Sequence, residues 1–251
     1  MCRPASMIVT KKKVFWSENT DSHHEIISEF KLRETDASGN INIVPIEIYP
    51  EDGNLASKKK WKFSIDHAGY SRDLPDWWDT EKYEKECRLA LKDWKKQKII
   101  SNPCVLKQGQ FYVVSSDSAT VWASGSATVR ASGSATVRAS GSATVRAYDS
   151  ATVWAFESAT VRASGSATVR AYGSATVRAS GSATVWASDS ATVWASGSAT
   201  VRASGSATVR AFESATVWAY GSATVRASGS ATVRAFESAT VWASGSATVR
   251  A

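Results

Sequence analysis

At 251 residues, 43% hydrophobic and 21% charged, the chain has the composition of a globular protein and the length of one or two domains. No apolar run of about 18 residues is present, which excludes a conventional transmembrane helix, and residues 1–6 lack the apolar segment of a secretory signal. The formal net charge of +7 is unevenly placed: residues 1–117 hold 19 basic and 18 acidic side chains, residues 118–251 hold 11 Arg and 5 acids. Basicity therefore belongs to the C-terminal half. Cys2, Cys87 and Cys104 are odd in number and lack metal or redox spacing, which fits a reduced, cytoplasmic chain.

Taken in order, residues 1–110 read as a small α+β domain. Met7–Trp16 is the first predicted strand. Ser22-His23-His24-Glu25 fits a capping box and opens a helix with Ile26, Ile27 and Phe30 on its apolar side. Asp36–Asn40 is a turn. Ile41, Ile43, Ile46 and Ile48 mark an extended segment around Pro45, and Glu51-Asp52-Gly53-Asn54 a hairpin-like turn. Trp61, Phe63 and Ile65 alternate as a strand. Asp79 caps a longer helix to about Gln97, with Tyr83, Cys87, Leu91 and Trp94 on one stripe. Phe111–Val114 is a last strand, and Val113, eight residues before Val121, makes it a degenerate zeroth repeat that caps the array.

From Ser118 to Ala251 the unit S-A-T-V-[RW]-A-[SYF]-[GDE] runs without insertion, with 17 copies of S-A-T-V. Ala119, Val121 and Ala123 fall on one face and Thr120, Trp122 and Ser124 on the other, the period-two signature of a half-buried strand. Arg holds the fifth position in 11 copies, so Ala-Val-Ala points inward. Gly125, or Asp149 in another copy, suits the positive φ of a turn. Glu157, Glu213 and Glu237 suit it less, which predicts a different turn at those copies.

Eight residues cannot close a coil. Two units make a flat 16-residue coil and three a triangular 24-residue one. The small Ala-Val-Ala face fills a thin gap between two sheets, where a triangular interior calls for larger side chains. The expected fold is therefore mainly β: a two-sided parallel β-solenoid with 16-residue coils over residues 111–251, roughly 40 Å long, preceded by the small α+β capping domain. On this coil one face reads Trp122, Arg138, Trp154, Arg170, Trp186, Arg202, Trp218, Arg234, Arg250. The opposite face reads Arg130, Arg146, Arg162, Arg178, Trp194, Arg210, Arg226, Trp242 and is more basic. Alternation on the first face separates like charges and allows cation–π contacts. Only exposed and turn positions vary between copies.

Chemistry-bearing motifs are sparse. His23 and His24 are adjacent, which does not make a helical metal pair, and read as surface histidines. Asp73–Asp79 is carboxylate-rich and aromatic, suited to a sugar site or, more simply, a Pro-bounded loop and helix cap with Trp77 and Trp78 in the core. Lys11–Lys13 and Lys58–Lys60 read as solvated strand ends or turns, with phosphate contacts as the alternative. The repeats hold no His, Cys or Lys. An array of like sites suits repeated weak contacts, so no enzyme, cofactor or metal is expected. The outward Arg, Trp, Tyr and Phe suit a scaffold or adhesion module for a protein or glycan partner. The Arg rows with aromatics also suit nucleic acid, although five acids lie in the turns and no shaped groove is evident. Ice binding through outward Thr is a third reading, set against Arg or Trp two residues away on the same face. A stiff spacer is the simplest alternative. Ala251 ends partway through a repeat: either the chain is a fragment, or the last coil is covered by another copy, which predicts a homodimer by edge pairing.

The double unit A-Y-G-S-A-T-V-R-A-S-G-S-A-T-V-W, Ala171–Trp186, resembles the A-G-Y-G-S-T-Q-T type of repeat in bacterial ice-nucleation proteins, in period and turn residues. That resemblance implies a β-solenoid. Phe15–Ile27, Val44–Ile48 and Leu74–Trp94 are similar to segments of uncharacterised bacteriophage and gut-bacterial proteins that carry a small N-terminal domain before short repeats. This implies such an origin, with a place in the cytoplasm or in a phage particle, and brings no activity with it.

Overall fold

The computed structural model describes residues 5–35, 37–51, 55, 59–67, 73–100, 102, 104–115 and 120–251. Asp36, the expected turn residues Asp52–Asn54, Lys58, Cys2, Ser118 and Ala119 lie outside the described residues. The chain divides into two compact units, 1–99 and 100–251.

The first unit is a four-stranded antiparallel sheet of order β2-β1-β3-β4 with two helices. Its strands are β1 (Ser6–Thr10), β2 (Val14–Phe15), β3 (Ile43–Tyr49) and β4 (Lys62–Ile65). The expected single strand Met7–Trp16 is thus a hairpin, turning at the exposed Lys11–Lys13. Thr10 Oγ1 accepts from Lys13 N at 3.2 Å there, a local turn bond that competes with strand continuation. Pro45 sits within β3 opposite Ile8, and its carbonyl accepts from Asp66 N at 2.9 Å.

Helix α1 (His23–Glu29) starts at Ser22, whose hydroxyl accepts from Glu25 N. Ile26 and Ile27 join Ile8 and Ile43 in one apolar cluster, but Phe30 falls at the helix C-cap and stays 39% exposed. Its ring lies 5.1 Å from that of Phe15, which packs against the cluster. Helix α2 (Thr80–Lys98) starts at Asp79, whose carboxylate accepts from Lys82 N at 3.0 Å. Its buried stripe is Tyr83, Cys87, Leu91, Trp94 and Lys98. Lys98 is buried because its ammonium donates to the Glu18 carbonyl at 2.6 Å, and Trp94 Nε1 donates to Asp21 at 3.0 Å.

The second unit is a β-solenoid of two parallel sheets. Seventeen repeat strands, β8 (Thr120–Ala123) to β24 (Thr248–Arg250), alternate between them, so each pairs with the strand 16 residues away. The two-sided 16-residue coil follows from the inward triad. Ala127, Val129 and Ala131 and their equivalents are fully buried through most of the array, and within the repeats nothing larger points inward to fill a triangular interior. Each buried Val contributes about 1.5–3 kcal/mol of apolar transfer. In the last coil Val241 is half-buried and Val249 is 41% exposed.

The solenoid begins earlier than residue 111. Strand β5 (Ile99–Ile100) follows α2, and strand β6 (Cys104–Leu106) pairs with β8, Cys104 opposite Val121 and Leu106 opposite Ala123. Strand β7 (Gln110–Ser115) pairs with β9 (Thr128–Gly133) and is the foreseen degenerate repeat, but its register differs. Phe111, not Val113, lies opposite Val129; Val113 lies opposite Ala131. A two-residue shift leaves every side chain on its own face, so period-two alternation cannot detect it. Phe111 packs against the solenoid core.

Candidate binding surface

Every repeat turn carries a tip residue at positive φ. The residue at its tip has φ of 58–68° where it is Gly, from Gly125 to Gly245. It has φ of 54–57° at Asp149, Glu157, Asp189, Glu213 and Glu237. The expected difference at the Glu copies is therefore absent. The physical reason is a bond between coils. Each acidic side chain reaches back one coil and accepts from the Gly N–H 16 residues earlier. The distances are 3.2 Å for Asp149 with Gly133, 2.7 Å for Glu157 with Gly141 and 3.0 Å for Asp189 with Gly173. For Glu213 with Gly197 and Glu237 with Gly221 they are 2.6 and 2.8 Å. A charge-assisted bond to an outward N–H offsets much of the strain of a left-handed L-residue, about 1–2 kcal/mol. All five repeat carboxylates are held this way in the turn stacks, so neither sheet face carries an acid.

The sheet faces carry Thr at the third position and Arg or Trp at the fifth. On the first sheet the register places Trp122, Arg138, Trp154, Arg170, Trp186, Arg202, Trp218, Arg234 and Arg250 in one row. Arg170 lies between two rings, 5.9 Å from Trp154 and 5.6 Å from Trp186. Arg138 lies 5.2 Å from Trp154 and Arg202 5.6 Å from Trp218. These are cation–π distances, and they place Arg138, Arg170 and Arg202 beside rings; only at the last coil do two cations, Arg234 and Arg250, stand next to each other.

The second sheet is different. Arg130, Arg146, Arg162 and Arg178 follow one another directly, before Trp194, Arg210, Arg226 and Trp242. Trp194 is flanked by Arg178 at 5.7 Å and Arg210 at 5.9 Å. Arg226 lies 5.5 Å from Trp242, and Arg130 lies 5.3 Å from the buried Tyr112. Aromatics also project from one turn stack: Phe156 stacks on Tyr172 at 5.3 Å and Tyr220 on Phe236 at 4.8 Å. All four are exposed.

In the first unit His23, Asp79, Trp77 and Trp78 have structural contacts. His23 is 2% exposed, not a surface residue: its Nε2–H donates to the Ile46 carbonyl at 3.0 Å and Nδ1 faces Asp66 at 3.1 Å. Its neighbour His24 is exposed. Asp79 is the cap of α2, and Trp77 and Trp78 pack on Tyr83 at 5.5 and 5.0 Å while remaining half-buried. Burial pushes the Cys87 thiol up to about 12, and burial also raises Cys104. The Arg88 guanidinium, hydrogen-bonded at 2.6–2.7 Å, holds the Glu84 carboxyl below its ordinary value.

The sequence reading placed the Arg and Trp rows but missed the carboxylate bonds. A signal for them was present: once the coil is 16 residues long, a Gly stands 16 positions before every repeat acid. No family model, no curated protein and no solved structure matches the chain. Among the described residues no helix is long and apolar enough to cross a membrane.

Proposed function

We propose that residues 100–251 serve as a non-enzymatic, rigid scaffold whose outward Arg, Trp, Tyr and Phe rows bind a protein or glycan partner. One observation carries the reading. All variation between repeats falls on outward or turn positions, while the inward Ala-Val-Ala is the same in every copy, so the surface changes on an unchanged frame. Exposed aromatics and Arg in regular rows are the residue types that dominate recognition surfaces. Repetition at one-coil spacing favours many weak contacts acting together.

The test replaces the six repeat Trp (122, 154, 186, 194, 218 and 242) by Ser and compares both proteins on a glycan array and against immobilised candidate proteins. The reading expects an unchanged far-UV circular dichroism spectrum and loss of the ligands that the wild-type chain retains. Identical binding profiles for the two proteins contradict it.

A further inference from the structure

We infer that the uninterrupted row Arg130–Arg146–Arg162–Arg178 on the second sheet is a binding site for a linear anionic glycan, laid along the solenoid axis. The inference rests on the display-scaffold reading and names the ligand class of one row.

Register fixes the geometry. The four residues occupy equivalent positions on consecutive coils of one sheet. Their backbones are therefore about 4.8 Å apart and the row is about 14 Å long. Like charges stacked at this spacing repel. Elsewhere in both sheets a Trp interrupts the cations within at most two coils, and here it does not. Among the described residues, Arg146 and Arg162 have no ion-pair, side-chain hydrogen-bond or ring partner. No carboxylate lies on the face to neutralise them, because the acids are drawn into the turn stacks by their Gly N–H bonds.

Beside each Arg, two residues earlier on the same face, stands a Thr: Thr128, Thr144, Thr160 and Thr176, also in register and half-exposed. Each rung thus pairs a guanidinium fork with a hydroxyl. The fork matches the paired oxygens of a sulfate or carboxylate, and the hydroxyl can donate to or accept from a sugar hydroxyl. Single-stranded nucleic acid needs aromatic platforms beside the charges, and this stretch of the face has none between the rungs. Tyr112, at its lower end, is 2% exposed, and Tyr148 projects from the turn stack rather than the face.

The experiment titrates the full chain with fluorescent dextran sulfate, uncharged dextran of equal length and oligo-dT, at about 20 and about 150 mM salt. Arg146→Ser/Arg162→Ser is compared with Arg202→Ser/Arg234→Ser, which removes the same charge from the Trp-containing row. Both pairs project outward, so unchanged melting curves are expected. Dextran sulfate binds and uncharged dextran does not. The first variant weakens dextran sulfate binding by about 10-fold or more and the second by less than about 2-fold. Equal weakening by both variants, no binding at low salt, or tighter binding of oligo-dT than of dextran sulfate at the higher salt overturns the inference. The Trp-to-Ser comparison reads the scaffold proposal separately, since its ligands need not be anionic.

Discussion

Glu157 offers a sharp test of the bond between coils. Its φ is 55°, a conformation that costs an L-residue about 1–2 kcal/mol. Its carboxylate accepts from Gly141 N at 2.7 Å on an exposed edge, a bond worth about 1 kcal/mol net. Glu157→Ala keeps the strain and loses the bond, so it destabilises by about 1 kcal/mol. Glu157→Gly loses the bond but also loses the strain, partly offset by the greater freedom of Gly in the unfolded chain. Its net effect is within about 0.5 kcal/mol of zero. For a unit of this size, 1 kcal/mol corresponds to a fall of about 2–4 °C in Tm. Thermal unfolding by circular dichroism reads the order: wild type and the Gly variant together, the Ala variant lower. Amide exchange at Gly141 adds a local reading and accelerates in both variants. An Ala variant that melts with or above wild type, or unchanged exchange at Gly141, refutes the reasoning.

Other predictions follow from burial. Val185→Asp places a carboxylate between the sheets where Val185 is fully buried, and costs about 3–5 kcal/mol or prevents folding, read by urea denaturation. His23→Ala empties a buried imidazole site and removes its bonds to the Ile46 carbonyl and Asp66, lowering stability by about 2 kcal/mol, while His24→Ala, at an exposed position, stays within about 0.5 kcal/mol. Cys87, fully buried with its thiol pushed up to about 12, holds almost no thiolate at pH 8. Iodoacetamide leaves it unmodified in the folded protein and labels it in urea, by mass spectrometry; rapid native labelling contradicts the burial.

Much of the solenoid was legible because its signals are local. Alternation put Ala-Val-Ala inside, and the small volume of that triad decided between two sheets and three. The Trp and Arg rows then followed from counting by 16. What was hidden depends on contacts distant in sequence. His23 is buried because Ile46 and Asp66 come to meet it, 23 and 43 residues away. The strand at Phe111 slips by two residues without changing face, and no pattern of hydrophobicity registers that. Glu at a positive-φ position looks unfavourable when judged alone; its compensation is a single N–H in the coil below.

Only the 16-residue coil brings Trp122, Arg138, Trp154 and their successors into one row. Distances between spin labels test it directly. In a background with the native cysteines replaced by Ala, Ser164 is labelled together with Ser228 or Ser244, all in one turn stack four and five coils apart. Backbone separations of about 19 and 24 Å are expected, differing by one strand spacing of about 4.8 Å. Narrow distributions with that increment support the two-sided coil. A difference that departs clearly from one strand spacing places Ser228 and Ser244 on different edges, and contradicts both the coil and the rows built on it.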